Sequence, residues 1–216
     1  MLLYYITDRT QFPGDENSRR RALLQNIAAA ARCGVDFIQL REKDLSTREL
    51  EDLAHSAVRA VRENFQKTRL LINSRTDVAV ACGADGVHLR SVDVPPGEVR
   101  ITWQHAAGFL QREPHRTQPC ISASCHTLED VLRAATGAVD FVVFAPVFEK
   151  KDDPAACAAG IAGLRAACQQ KIPVLALGGI TLANAASCVE AGAAGIAGIR
   201  LFQKNDIEDV VGRLRG

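Results

Sequence analysis

The sequence lacks an excess of either charge. Its 26 Lys and Arg stand against 25 Asp and Glu, for a net charge of +1. That balance excludes a global field for gathering nucleic acid or an anionic membrane, so any anionic ligand has to be held by local charge. No apolar run approaches the roughly 20 residues of a membrane-spanning helix. The opening Met1-Leu2-Leu3-Tyr4-Tyr5-Ile6-Thr7-Asp8 has no basic leader, long apolar stretch and small-residue cleavage site in succession, so it reads as a first strand and not as a signal peptide. The seven cysteines are odd in number, scattered and without a C-x-x-C pair. That argues against a disulfide framework and structural zinc, and for a reducing, cytoplasmic setting. No stretch has the composition of a disordered tail or linker.

What is present is a repeat. Cys33-Gly34-Val35-Asp36-Phe37-Ile38-Gln39-Leu40 has the order of a helix end, a glycine and a buried strand, and so does Cys82-Gly83-Ala84-Asp85-Gly86-Val87-His88-Leu89. The order returns in Gly137-Ala138-Val139-Asp140-Phe141-Val142-Val143-Phe144 and in Gly192-Ala193-Ala194-Gly195-Ile196-Ala197-Gly198-Ile199. Between these lie four more apolar runs of the kind that parallel sheets bury on both faces: Leu2–Thr7, Leu70–Asn73, Cys120–Ser124 and Pro173–Leu177.

The intervening segments carry helical stripes, with Leu50, Leu53, Ala54, Ala57, Val58 and Val61 in one and Leu182, Ala185, Ala186 and Val189 in another. Ser46 with Glu49 has the spacing of a capping box, Thr127 and Thr181 stand where caps belong, and helices end in Cys-Gly or Ala-Gly as a left-handed cap requires. The stretch Ile101–Gln118 reads as loop with a short helix.

Eight strand-helix units in 216 residues predict an α/β protein, a single (β/α)8 TIM barrel spanning residues 1–216. An open doubly wound sheet would need a Gly-rich turn after its first strand, and Thr7-Asp8-Arg9-Thr10 is not one.

In such a barrel the loops after the strands form the active site. Gln39, Arg41 and Lys43 alternate along the end of the second strand and so share a face, placing an amide beside two cations: a clamp for a diphosphate or a carboxylate. The competing reading is a solvent-exposed ion-pair strip of Glu42, Lys43 and Asp44. Asn73-Ser74-Arg75, His88 to Asp93 and Ser122 to His126 close the next strands. Gly178-Gly179 and Gly198-Ile199-Arg200 follow strands seven and eight, where backbone N–H groups can approach an anion. The bland alternative for these glycines is tight packing. His88, inside an alternating strand, fits a hydrogen-bonded barrel residue better than a proton shuttle.

In order and at these strand ends, Tyr5-Ile6-Thr7-Asp8, Gln39-Leu40-Arg41-Glu42-Lys43, Leu71-Ile72-Asn73 with Arg75 and Asp77, Gly83 to Leu89, Ser124 with His126-Thr127, and Gly178-Gly179-Ile180 form a specific set. With it the chain resembles the thiamine-phosphate synthase and thiazole tautomerase superfamily over essentially its whole length. For the synthases, the resemblance implies joining of hydroxymethylpyrimidine diphosphate to thiazole phosphate with release of diphosphate, magnesium holding the leaving group. It implies that Gln39, Asn73 and Ser124 contact the pyrimidine and that Arg41 and Lys43 neutralise its diphosphate. Gly179 and Ile199 would bind the thiazole phosphate through backbone N–H groups, beside Gly178 and Arg200.

The departures matter equally. Of the two magnesium aspartates that the resemblance implies, Asp93 is kept and Ser74 replaces the other. Arg90-Ser91 stands where Gly-Gln is usual, and Arg200 where a serine is. After strand six, Ala145 to Asp153 departs from the synthase pattern: its diphosphate-binding lysine falls on Asp153, with Lys150 or Lys151 able to reach the same region. The Val147-Phe148-Glu149 run and the lost aspartate resemble the tautomerase branch, which carries a histidine where this chain has Pro146. The expectation is a divergent synthase using Arg41, Lys43, Ser124, Asp93 and one of Lys150 and Lys151. The alternatives are a tautomerase working through His126, Glu149 or Cys125 and a non-catalytic phosphate binder. A homo-oligomer is compatible with all three.

Overall fold

A computed structural model of the chain describes residues 1–64, 67–109, 118–149 and 157–216. Eight parallel strands close into a barrel in sequence order. They are β1 (Leu2–Ile6), β2 (Phe37–Leu40), β3 (Arg69–Asn73), β4 (Gly86–Leu89), β5 (Cys120–Cys125), β6 (Phe141–Phe144), β7 (Val174–Ala176) and β8 (Gly195–Gly198). The helices that return the chain are α1 (Glu16–Arg32), α2 (Thr47–Asn64), α3 (Thr76–Cys82), α4 (Pro96–Phe109), α5 (Leu128–Ala135), α6 (Gly160–Cys168), α7 (Ala185–Glu190), α8 (Arg200–Gln203) and α9 (Ile207–Arg215). Among the described residues no helix is long and apolar enough to cross a membrane.

The strands are apolar on both faces because they face two cores. Outward, Ile38, Leu40, Leu70, Ile72 and Val142 pack under the α2 stripe Leu50, Leu53, Ala54, Ala57 and Val61 and its counterparts. Inward, Tyr4, Ile6, Leu71, Phe141, Val143 and Leu175 fill the barrel. The ring of Phe141 lies 5.6 Å from that of Tyr4 and 4.7 Å from that of Phe37. This packing fills the barrel interior below its C-terminal mouth.

The repeated aspartates have a common structural use. Asp36, Asp85 and Asp140 each stand just before an even-numbered strand, and each accepts the N–H of a residue on the strand before it: Leu3, Leu70 and Ile121, at 2.8, 2.8 and 2.7 Å. Each also meets an arginine: Arg215, Arg62 and Arg100. A backbone donor that no ladder bond serves is thereby satisfied at the base of three strand pairs. The fourth repeat has Ala194 in that place and relies on backbone bonds, Ala194 N–H to Val174 and Leu2 N–H to Ala194.

The Ser46–Glu49 capping box forms, with Glu49 N–H donating to Ser46 Oγ and Ser46 N–H to Glu49 Oε2, and Thr127 caps α5 in a second box with Asp130. Gly34, Gly83 and Gly192 take the left-handed cap; Gly137 does not.

Two expectations need correction. Helix α4 runs through Phe109, where Ile101–Gln118 reads as mostly loop; among its described side chains the buried ones are Val99 and Trp103, one turn apart, too few to register as a stripe. Residues 110–117 of that stretch lie outside the described residues. Thr181 does not cap α7: Asn184 Oδ1 accepts the Thr181 N–H at 2.8 Å, so a turn precedes the helix, and Ala185 and Cys188 face inward while Val189 is 42% exposed.

Asp85→Ala strands the Leu70 N–H and the Arg62 guanidinium. It is expected to cost about 1–3 kcal/mol, read as a lower midpoint in urea unfolding, with ligand affinity of the folded fraction unchanged because the mouth lies at the other end of the barrel.

Candidate active site

A cavity of about 1080 Å³ opens at the C-terminal ends of the strands. The side chains of Gln39, Arg41 and Lys43 line it, as their alternation requires, while the intervening Leu40 and Glu42 are buried behind them. Glu42 is not part of a solvent strip. Its Oε1 accepts the Thr7 hydroxyl at 2.6 Å, and its Oε2 accepts the Arg9 N–H at 2.9 Å and Arg9 Nη1 at 3.2 Å. Thr7 Oγ1 in turn accepts the Arg41 N–H at 2.9 Å. Arg9 also grips Asp44 with both terminal nitrogens, at 2.6 and 2.8 Å. Burial pushes the Glu42 carboxyl up, and these donors oppose it. Arg9 was not legible as a functional residue, because its partners lie 33 and 35 positions away.

Arg41 is the cation this scaffold presents. Its guanidinium is partly buried and, among the described residues, has no side-chain or backbone hydrogen-bond partner. Burial pulls its pKa below the ordinary arginine value; the Arg90 charge acts the same way, and Asp8 and Glu42 oppose it. Among the described residues, Lys43, Arg90, Arg200, Lys204 and Arg213 line the same cavity, against one carboxylate, Glu149. Lys204 and Arg213, from the C-terminal helices, escape a reading confined to strand ends.

The floor is neutral and hydrogen-bonded. Gln39 Nε2 donates to Asn73 Oδ1 at 3.1 Å. His88 Nδ1 and Nε2 each meet a serine hydroxyl at 2.8 Å, Ser122 and Ser124, and Ser122 Oγ lies 3.4 Å from the Tyr4 hydroxyl. Since each serine can donate or accept, the neutral imidazole is satisfied in either tautomer. Burial first, then the Arg41 charge, lowers its pKa to about 3. His88 is therefore a fixed neutral strut under Ser124.

Across the mouth, Gly178 and Gly179 have φ of +98° and +64°, and an added Cβ would lie 2.7 Å from Pro146 Cα and 2.8 Å from Phe148 Cβ respectively. Close packing against the loop after β6 therefore demands these glycines, and the same bareness exposes their backbone to the cavity. Among the described residues the N–H groups of Gly178, Gly179 and Ile199 meet no acceptor, and all three residues line the cavity.

His126 also lines it, with Nδ1 2.8 Å from the Ala145 carbonyl. Cys125 does not serve as a proton carrier or nucleophile: it is 1% exposed and burial pushes its thiol up to about 12. Lys150, Lys151 and Asp153 lie outside the described residues.

Asp93 is present but engaged. Its Oδ2 accepts the Arg90 N–H at 2.8 Å and its Oδ1 accepts Arg90 Nη2 at 2.8 Å; burial pushes its carboxyl up, and the Arg90 donors, then the nearby Ser74 hydroxyl, bring it below the usual carboxylate range. Ser74 itself sits at φ +62°, a left-handed position where Asn and Asp are enriched. Among the described residues no group of three or more His, Cys, Asp or Glu could hold a metal ion.

Two expectations follow. Glu42→Ala leaves Arg9 buried beside Asp44 without its inner partner and releases Thr7; a loss of about 3–5 kcal/mol is expected in chemical unfolding. For His88, a folded pKa of about 3 against an ordinary 6.5 means that the unfolded chain binds one more proton between those values. Stability is complete above pH 6.5 and is lost as pH falls toward 3, by up to about 1.4 kcal/mol per pH unit. His88→Gln should lose less stability than the parent between pH 7 and pH 5 in urea titrations; equal losses would contradict a neutral His88.

A family profile described as thiamine monophosphate synthase matches residues 3–202. The chain is 40% identical over 201 residues to a thiamine-phosphate synthase of Methanoculleus marisnigri, covering 90% of this chain and 84% of that one. It is 34% identical over 218 residues to a thiamine-phosphate synthase of Syntrophomonas wolfei, covering 99% and 94%. A solved thiamine phosphate pyrophosphorylase from Pyrococcus furiosus superposes with a TM-score of 0.75 at 30% identity, covering 99% of this chain and 93% of that one. With these matches and the strand-end residues in place, the chain belongs to the thiamine monophosphate synthase family.

Proposed function

We propose that the chain is a divergent thiamine-phosphate synthase, a transferase of thiamine biosynthesis that joins hydroxymethylpyrimidine diphosphate to thiazole phosphate and releases diphosphate. The observation that carries this reading is the partly buried Arg41 guanidinium, held by the Thr7–Glu42 bond at its backbone and left without a side-chain partner, above a polar floor of Gln39, Asn73 and Ser124. A partly desolvated, unpaired cation favours an anion that brings its own charge.

The roles divide by position. Gln39, Asn73 and Ser124 hold the pyrimidine edge, with His88 fixing the Ser124 hydroxyl. Arg41 and Lys43 hold the diphosphate, and the family resemblance assigns it Lys150 or Lys151 as well. Gly178, Gly179 and Ile199 offer N–H groups to the thiazole phosphate, and Arg200 adds charge. The pyrimidine's methylene–oxygen bond breaks with its electron pair leaving on diphosphate, and the thiazole nitrogen supplies the pair for the new carbon–nitrogen bond. No proton has to move for this, so the demand is for positive charge at the leaving oxygens.

The family resemblance also implies magnesium, and Asp93 is the residue that would hold it. The fit is poor. Magnesium needs near-octahedral oxygen donors, and Asp93 is one carboxylate whose oxygens already serve Arg90. No step is therefore assigned to the metal.

Purified protein given both substrates should release diphosphate. Arg41→Ala is expected to lower kcat/KM by about 100-fold or more, whereas Arg200→Gln should raise KM for the thiazole phosphate and leave that for the pyrimidine. No diphosphate over many enzyme equivalents would refute the reading, and metal-independent aromatisation of a thiazole phosphate instead would identify a tautomerase.

A further inference from the structure

The Arg90–Asp93 pair is peculiar for a residue placed where a leaving-group metal belongs. Asp93 is tucked away, its side chain 8% exposed, while that of Arg90 is 54% exposed. Arg90 lines the cavity and Asp93 does not. The carboxylate thus stands behind the guanidinium and faces it with both oxygens: Oδ1 accepts Nη2 at 2.8 Å and Nε at 3.2 Å, and Oδ2 accepts the Arg90 N–H at 2.8 Å. A divalent cation approaching Asp93 would have to displace this guanidinium or lie against it, cation to cation. The second carboxylate that could share such an ion is absent, since residue 74 is a serine.

The pair is neutral overall, but it is oriented. Its negative end is buried and its positive end faces the space beside Arg41, close enough that the two guanidiniums repel. Two like charges held on one wall by separate anchors, Thr7–Glu42 for one and Asp93 for the other, form a site that an anion relieves. Guanidinium forks match phosphate oxygens two at a time, which a point charge does not.

We propose that Arg90, seated on Asp93, takes the place of the divalent cation in this chain, so that diphosphate is bound by Arg41 and Arg90 together without a metal. The inference rests on the reading of this cavity as a diphosphate site. It makes Arg90 a diphosphate-binding residue and Asp93 its positioning residue.

The test is calorimetric titration of inorganic diphosphate into the full chain, in excess EDTA and again in excess magnesium, for the parent, Arg90→Gln and Arg90→Lys. The parent should bind in EDTA, with an affinity that magnesium changes by less than about threefold. Arg90→Gln should bind about tenfold more weakly, a change of the size expected for one charge-assisted pair, and Arg90→Lys, which keeps the charge and loses the fork, should fall between. Binding that appears only with magnesium would overturn the proposal, as would equal affinity of all three proteins. Diphosphate release from the two organic substrates, run in the same two buffers, separates this claim from the proposed function. Release only with magnesium sinks the metal-free site and leaves the synthase standing. Tight binding in EDTA with no release in either buffer supports the metal-free site and sinks the synthase.

Discussion

A carboxylate buried behind the second strand holds the working face in place. Glu42 cannot reach bulk water, and its oxygens are committed to Thr7 and Arg9. That commitment fixes which side of the strand end faces out, and alternation does the rest: Gln39, Arg41 and Lys43 can only face the cavity. A buried charge is costly unless it is paired and fully hydrogen-bonded, and here the pairing ties β1, the loop that follows it and the end of β2 into one rigid corner. The unpaired Arg41 is the product of that corner. The strand supplies the direction, Glu42 supplies the anchorage, and no partner is left over to quench the charge.

Much of this was legible because barrels place function at strand ends. The recurring glycine and aspartate mark where helices stop and strands begin, so the eight strands are found within a residue or two of their positions, and the residues that follow each of them converge on one cavity. The Gln39-to-Lys43 segment, Asn73, Ser124 and the glycine pair are all of this kind. Packing explains the glycines as fully as ligand binding does, since Pro146 and Phe148 leave no room for a side chain at 178 and 179; the two readings weighed against each other at the sequence level describe the same backbone.

What escaped was long-range pairing. Nothing near Arg9 announces Glu42 or Asp44, and nothing in His88 to Asp93 reveals that Arg90 turns back onto Asp93 three residues later. Helix α4 escaped because, among its described side chains, Val99 and Trp103 alone are buried, and the register of α7 escaped because Asn184 spends its side chain on a turn first. Periodicity reports a face shared by many residues; it is silent where one or two contacts decide the outcome. At Asp93 this silence concerns chemistry, since a retained aspartate resembles a metal ligand until its partner is seen.

The base of the barrel adds an asymmetry. Aspartates stitch β1 to β2, β3 to β4 and β5 to β6, each with an arginine behind it, and the pair β7–β8 has only Ala194 and backbone bonds. That pair also includes the shortest strand, β7, of three residues, and it carries Gly178, Gly179 and Ile199 above it. The quarter of the ring that offers N–H groups to an anion is thus the one held least firmly from below. Amide exchange should be fastest along this seam in the empty protein, and an anion bridging Gly179 and Ile199 would close from above the stitch that the fourth repeat lacks beneath.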